Sequence, residues 1–152
     1  MFVGRELGEN KRAGFGVRGD LAAIIGGNRC IENRLVAIGL PDGATAHIQC
    51  NELQRTGGGA PPLVVVKGGS SAVLVDNSIP AGRLAGTLVQ GTAQFSGTRF
   101  FGVGGTQGWA IWVWGQSTVR VMGNPFTGYL DSAHAPGHSV PPTHHDFRNF
   151  NG

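Results

Sequence analysis

The sequence has little charge, few cysteines and no long apolar run. Charged residues make up 14% of its 152 residues, against about 25% in an average globular protein. Together with the lack of a sustained 3.6-residue apolar period, this argues against coiled coils and helical bundles. The two cysteines form no CxxC pair, so neither a zinc site nor a disulfide scaffold is expected. No apolar run approaches the ~18 residues of a membrane span, and the N-terminus lacks the apolar segment of a secretory signal.

Basic residues are scattered along the chain. The net charge is +3 at pH 7, and the densest basic group is Arg5, Lys11, Arg12 and Arg18. A nucleic-acid surface requires a concentrated basic stripe, because binding depends on neutralising successive phosphates. The sequence therefore predicts a mildly basic protein that binds neither nucleic acid nor membrane.

Glycine and short apolar segments are abundant. The chain contains 27 glycines, and 40% of its residues are hydrophobic, which is too many for a solvated low-complexity segment. The apolar runs are short, rich in Val, Ile, Leu and aromatic residues, and bounded by glycine and turn residues. These features are typical of β-strands, so the sequence predicts an all-β protein.

One pattern recurs along the chain: an apolar residue, then two residues, an asparagine, one residue and a large apolar residue. The segments are NRCIENRL (28–35), AHIQCNEL (46–53), AVLVDNSI (72–79), AQFSGTRF (93–100) and VRVMGNPF (119–126). Their shared position is occupied by Asn33, Asn51, Asn77, Thr98 and Asn124. Asparagine suits a turn because it tolerates left-handed backbone, and stacked asparagines can form a hydrogen-bonded ladder.

A second element, a short strand ending in glycine, precedes each of these segments. The five runs are LAAIIG (21–26), LVAIG (35–39), LVVVKG (63–68), GTLVQG (86–91) and AIWVWG (110–115). A repeat of about 23 residues cannot bury its own apolar face, but stacked repeats can share a continuous core through parallel strand pairing.

These repeats resemble those of right-handed parallel β-helix proteins, the pectate-lyase-like superfold, over residues 21–126. The resemblance implies three parallel sheets, variable loops at the corners and about five coils. Residues 1–20 are expected to form a cap or a first coil, and residues 127–152 an extended tail containing proline and histidine. The competing fold is an antiparallel β-sandwich with glycine-rich hairpins, which explains the short strands but not the asparagine column.

Strand alternation predicts which side chains face the core. We expect the residues two before each glycine to point inward: Ile24, Ala37, Val66, Val89 and Val113. The flanking positions should then point outward, where an apolar surface of Val36, Ile38, Val65, Leu88, Trp112 and Trp114 indicates an interface. This surface could be covered in three ways: by the tail of the chain, by a second copy, or by a sugar stacked on Trp112 and Trp114.

Candidate chemistry is sparse. The column before the shared asparagine contains Glu32 and Asp76, two coils apart, as weak catalytic candidates for glycoside cleavage. Cys30 is expected in the core and Cys50 at an outward turn, without a disulfide between them. His144, His145 and Asp146 are metal-ligand residue types without further ligands at a defined spacing. We therefore expect no metal and no cofactor.

The sequence favours a non-enzymatic structural or assembly module. It would form a homo-oligomer or join another protein of a larger assembly, with a phage tail or a surface fibre as the expected setting by architectural analogy. The alternative is a carbohydrate-binding or polysaccharide-cleaving β-helix module, with Trp112 and Trp114 as stacking platforms.

Overall fold

The structure, a computed structural model, describes residues 1–9, 13–41, 43–55, 62–80 and 85–134, with the backbone alone at 102–108 and 128–134. All regular structure in these residues is β-strand. None of them belongs to a helix long and apolar enough to cross a membrane. The all-β prediction is therefore confirmed.

Sixteen strands lie within the described residues. In chain order they are β1 (Phe2–Val3), β2 (Glu6–Gly8), β3 (Phe15–Gly16), β4 (Ala22–Gly26), β5 (Arg29–Ile31), β6 (Ile38–Leu40), β7 (Thr45–Gln49), β8 (Glu52–Gln54), β9 (Val64–Val66), β10 (Ser71–Val75), β11 (Ser78–Pro80), β12 (Ala85–Val89), β13 (Thr92–Ser96), β14 (Arg99–Val113), β15 (Thr118–Met122) and β16 (Phe126–His134).

These strands stack as a parallel β-solenoid of about five coils. One coil comprises three strands, for example β7, β8 and β9. The first strands form a six-stranded sheet in the order β1-β4-β7-β10-β13-β15, and the others form a ten-stranded sheet. The second sheet is continuous because β14 pairs with β11 near its start and with β12 near its end. Parallel pairing between coils rules out the antiparallel sandwich.

Both ends of the described part of the chain contribute strands to the stack. The N-terminal strands β1, β2 and β3 pair with β4, β5 and β6, so residues 1–20 supply a coil. At the other end β16 pairs with β14 and runs to His134, beyond the expected boundary at residue 126. The remainder of the expected tail, 135–152, lies outside the described residues.

The core alternates small and large side chains along the six-stranded sheet. One buried column contains Ala23, Ala46, Ala72, Ala93 and Val119, and the next contains Ile25, Ile48, Leu74, Phe95 and Val121. Each residue lies directly over its counterpart in the next coil, since the register is unshifted from β4 to β15. Equivalent positions thus stack directly over one another in the interior from coil to coil.

A buried asparagine ladder joins the coils at the turn after this sheet. Its members are Asn28, Asn51, Asn77, Thr98 and Asn124. The side-chain oxygen of Asn51 accepts the backbone N–H of Asn28 at 3.0 Å, and its amide nitrogen donates to the Ile25 carbonyl at 2.8 Å. Each rung therefore satisfies backbone groups of the preceding coil, which buried polar groups require.

Asn33 is not a member of this ladder, so the sequence prediction was wrong for the first rung. Asn28 takes the place of Asn33, and the side-chain amide of Asn33 instead donates to the Leu7 carbonyl. Asn28 and Asn33 lie in the same segment, 28–35, and the apolar residues around each of them fit the spacing of the repeat. Strand pairing decides between them, because Cys30 lies opposite Leu53 and follows Asn28 by two residues.

The left-handed residue of the ladder turn is the one before the asparagine. Gly27, Cys50, Asp76, Gly97 and Gly123 all have φ between 52° and 60°. The left-handed conformation was expected of the asparagine itself, but that side chain is engaged in the ladder. Glycine at three of the five positions avoids the cost of a side chain in this backbone region.

Two of the glycine-ended runs were aligned wrongly. The run 21–26 is strand β4 of the six-stranded sheet, so Ile25 is buried and Ile24 is exposed, the reverse of the prediction. In the run 35–39, Gly39 lies within β6 opposite Val65 rather than after the strand. Because of this three-residue slip, Ile38 is a core residue with 0% exposure, whereas Ala37 is buried as predicted.

Candidate functional site

An apolar row lies on the outward side of the third strands. Val65 of β9, Leu88 of β12 and Trp112 of β14 lie side by side in consecutive coils. Adjacent parallel strands are about 4.8 Å apart, so these side chains form one continuous strip. Their neighbours on either side along each strand point into the core, as strand alternation requires.

All three tryptophans of the chain meet at the end of this row. The ring of Trp112 lies 5.6 Å from Trp109 and 5.4 Å from Trp114, measured between centroids. Trp112 and Trp114 are nearly perpendicular, with 88° between their planes, which is a favoured arrangement for aromatic pairs. We refer to Leu88, Trp109, Trp112 and Trp114 as the tryptophan face.

The tryptophan face combines an exposed ring with an unsatisfied donor. Trp114 is 48% exposed, whereas Trp112 and Leu88 are half-buried. The indole N–H of Trp112 is buried and has no hydrogen-bond partner among the described residues. Buried donors are normally paired, so this indole N–H is an exception within the described residues.

The expected outward surface is smaller than the sequence indicated. Ile38 belongs to the core, and Val65 is only 9% exposed. Val36 is half-buried and precedes β6 rather than lying in the row; its side chain occupies the space beside Gly39. Of the six residues proposed as an interface, Leu88, Trp112 and Trp114 share one continuous exposed or half-buried surface.

The two candidate acids lie at different corners of the solenoid. Asp76 occupies the ladder turn between β10 and β11, whereas Glu32 follows β5 at the next corner. Asp76 precedes the ladder residue Asn77. The equivalent position in the coil of Glu32 is Gly27, because Asn28 rather than Asn33 is the ladder residue of that coil. The structure therefore does not bring these carboxylates together in the column proposed for them.

Glu32 instead lies near a buried arginine. Arg55, at the corresponding corner after β8, is 7% exposed and donates from its guanidinium to the backbone carbonyls of Asn33 and Leu35. Burial lowers the pKa of Arg55, and the negative charge of Glu32 opposes that shift. The guanidinium therefore holds the chain of the preceding coil in place at this corner.

A groove of about 330 Å³ lies beside Arg55 on the outer side of the second strands. It is lined by Glu52, Leu53, Gln54, Arg55, Ser78, Pro80 and Phe101. Sequence reasoning missed this groove and also the roles of Arg55 and Trp109. Neither Arg55 nor Trp109 belongs to a repeated column, so no periodic signal in the sequence marks them.

The cysteines and histidines give no further site in the described part of the chain. Cys30 is buried, Cys50 is exposed and both are free thiols, as predicted. Burial raises the pKa of Cys30 to about 11, so its thiol stays protonated. The described residues hold no cluster of three or more metal-ligating side chains. His144, His145 and Asp146 lie outside those residues.

Comparisons with known proteins do not assign the chain to a family. It matches no protein-family model, no curated protein and no solved structure. The class that the fold defines is a parallel β-solenoid built from repeats with an asparagine ladder.

Proposed function

We propose that this β-solenoid is a non-enzymatic structural module that associates with copies of itself in a larger assembly of the phage-tail or surface-fibre kind. The observation that carries the proposal is the tryptophan face, a partly exposed apolar cluster on β12 and β14 and at the residue after β14. Tryptophan is among the residues most enriched at the energetic centres of protein interfaces. An apolar cluster that is already ordered loses little side-chain entropy when a partner covers it.

The position of the cluster favours lateral association. Leu88, Trp112 and Trp114 lie on the side of the solenoid, so a second copy packed there leaves both ends of the stack free. Burying the exposed half of Trp114 adds about 25 cal/mol for each Å² of apolar surface removed from water.

The test is the solution mass of single-site variants, measured by light scattering on a sizing column. Trp114→Lys places a charge in the proposed interface and should lower the mass to that of a smaller species. Met122→Lys is the matched control, because Met122 is also an exposed apolar residue but lies on the six-stranded sheet. An assembly that survives Trp114→Lys unchanged would refute association through the tryptophan face.

A second candidate function is carbohydrate binding at the same surface. The half-exposed ring of Trp114, braced at 5.4 Å by Trp112, is suited to stacking against the apolar face of a sugar ring. Polysaccharide cleavage is not retained in this candidate, since Glu32 and Asp76 occupy different corners. Glycan-array binding that disappears in Trp114→Ala and persists in Met122→Ala would favour it. Absence of binding by the unmodified chain would exclude it for the glycans present on the array.

A further inference from the structure

The groove on the outer side of the second strands owes its shape to differences in side-chain size. It spans β8, β11 and the start of β14, which are consecutive in the ten-stranded sheet. The outward residues of the middle strand are Ser78 and Pro80, and both are short. Ser78 lies beside Glu52 of β8, and Gln54 follows Glu52 by two residues on the same face. On the other side Phe101 of β14 lies beside Pro80. The short residues of β11 therefore form a floor between longer side chains of the coils before and after it.

Three polar side chains of the groove keep hydrogen-bonding capacity for a ligand. Glu52 is held through one carboxylate oxygen, which accepts the guanidinium N–H of Arg29 at 3.1 Å. Its other oxygen accepts no hydrogen bond from the described residues, and the side chains of Gln54 and Ser78 make none within them. Gln54 and Ser78 are both half-exposed. The groove thus presents a carboxylate oxygen, an amide and a hydroxyl, which between them accept and donate.

The rest of the groove is apolar. Pro80 is buried in the floor, and the ring of Phe101 is half-buried beside it. The face of an aromatic ring carries negative partial charge, so it attracts the weakly positive C–H groups of a saturated ring. The volume of about 330 Å³ is at the lower end of the range for small-molecule sites, which combine apolar walls with a few placed polar groups. The groove is therefore sized for one small ring.

The charges beside the groove cancel. They belong to one row of outward residues on the second strands, in which Glu6, Arg29 and Glu52 alternate in sign and form ion pairs. Ser78 comes next in the row and Arg99 follows it in the next coil. Two negative and two positive charges give the row no net charge. Because no single sign dominates, the groove does not select a charged ligand.

We propose that the groove binds one ring of a neutral sugar. A pyranose ring has an apolar C–H face, which lies on Phe101 and Pro80, and hydroxyl groups at its edge, which bond to Glu52, Gln54 and Ser78. A purely apolar ligand is disfavoured because it would cover the Glu52 carboxylate without pairing it. This site goes beyond the proposed function and does not depend on self-association. It is also separate from the tryptophan face, which lies on the third strands.

The experiment is saturation-transfer difference NMR on the full chain, with glucose, galactose, mannose and N-acetylglucosamine as probes. At least one of these sugars should bind. Gln54→Ala removes the amide from a half-exposed position and should weaken that binding about fivefold, the effect of one lost hydrogen bond. Gln94→Ala is the matched control, because Gln94 is a half-exposed glutamine on the six-stranded sheet. It should leave the affinity unchanged.

A second variant tests the shape of the groove. Ser78→Tyr fills the floor with a large side chain and should abolish binding, while circular dichroism verifies that the fold is kept. The proposal is overturned if the unmodified chain binds none of the four sugars, or if Gln54→Ala and Ser78→Tyr both bind as the unmodified chain does. Trp114→Ala should retain binding. If it loses the sugar and Ser78→Tyr keeps it, the ligand lies on the tryptophan face and the groove is refuted as the site. Solution mass, which tests the proposed function, is measured independently of these results.

Discussion

The two corners that flank each second strand differ sharply in regularity. The corner before that strand, here the ladder corner, has one residue with left-handed backbone followed by a buried asparagine or threonine at all five positions from Asn28 to Asn124. The corner after it, here the variable corner, contains Glu32 and Asn33 in one coil and the buried Arg55 in the next. Hydrogen bonds between stacked rungs require identical geometry in successive coils. A corner without such bonds is free to vary, and the groove lies beside it.

The largest effect is expected at the ladder corner. Asn51→Ala removes the acceptor for the Asn28 N–H and the donor to the Ile25 carbonyl. Each buried backbone group left unpaired costs about 1–3 kcal/mol, so we expect a loss of about 4 kcal/mol in the free energy of unfolding. Gln54→Ala, at a half-exposed position at the far end of β8, should change it by about 0.5 kcal/mol or less. Urea denaturation measures both, and similar losses would show that the ladder has no special role.

A smaller effect is expected at the variable corner. Arg55→Lys keeps the charge but loses the planar donors that bind the carbonyls of Asn33 and Leu35. We expect a destabilisation of about 2 kcal/mol, since hydrogen bonds from charged groups are worth about 1.5–3 kcal/mol. Arg34→Lys, in the same corner but exposed, is the matched control and should have almost no effect. If both variants melt at the unmodified temperature, Arg55 does not hold this corner.

A substitution of Thr87, which lies away from both corners, should raise the free energy of unfolding. Its side chain is fully buried in the column between Val64 and Ile111, and its hydroxyl has no hydrogen-bond partner among the described residues. Thr87→Val keeps the shape and removes the unpaired group, so the free energy of unfolding should rise by about 1 kcal/mol. Thr87→Ala leaves a cavity and should not give this gain. A lower melting temperature for Thr87→Val would indicate that the hydroxyl has a partner.

The smallest effect concerns the one ladder position that is not asparagine. Thr98 accepts the Asn77 N–H at 3.4 Å, whereas the asparagine rungs accept at about 3.0 Å. Thr98→Asn should shorten this contact and raise the free energy of unfolding by about 0.5 kcal/mol. Thr118→Asn, an exposed position on the six-stranded sheet, should be neutral. If Thr98→Asn is destabilising, the corner is shaped by its local core and the ladder does not impose one geometry.

The regular corner was largely predictable from sequence, and the variable corner was not. Stacking repeats one side-chain requirement in every coil, so Asn51, Asn77, Thr98 and Asn124 appear as a column. The first rung was assigned to Asn33 because its apolar neighbours fit as well as those of Asn28, and only strand pairing separates the two. Gly39 was aligned with the glycines that follow the other strands, but it lies inside β6. Glycine can occur within a strand as well as after it, so the sequence does not separate the two cases.

The candidate site was predicted in part for the same physical reason. Trp112 and Trp114 are two residues apart at the end of β14, so strand alternation places them on one face although Trp114 follows the last residue of the strand. Trp109 also contacts Trp112, but the two residues are three positions apart, and strand alternation does not predict a contact at that spacing. Arg55 acts through a single long side chain on carbonyls of the preceding coil. One residue without a repeated partner gives no periodic signal from which that contact could be inferred.

The central claim is that this solenoid is an assembly module, and its most direct test is the mass of the unmodified chain in solution. Light scattering across a range of concentrations should give a multiple of the 15.8 kDa chain mass. A mass of 15.8 kDa at every concentration would contradict the account, and the tryptophan face would then be tested as a sugar-binding surface.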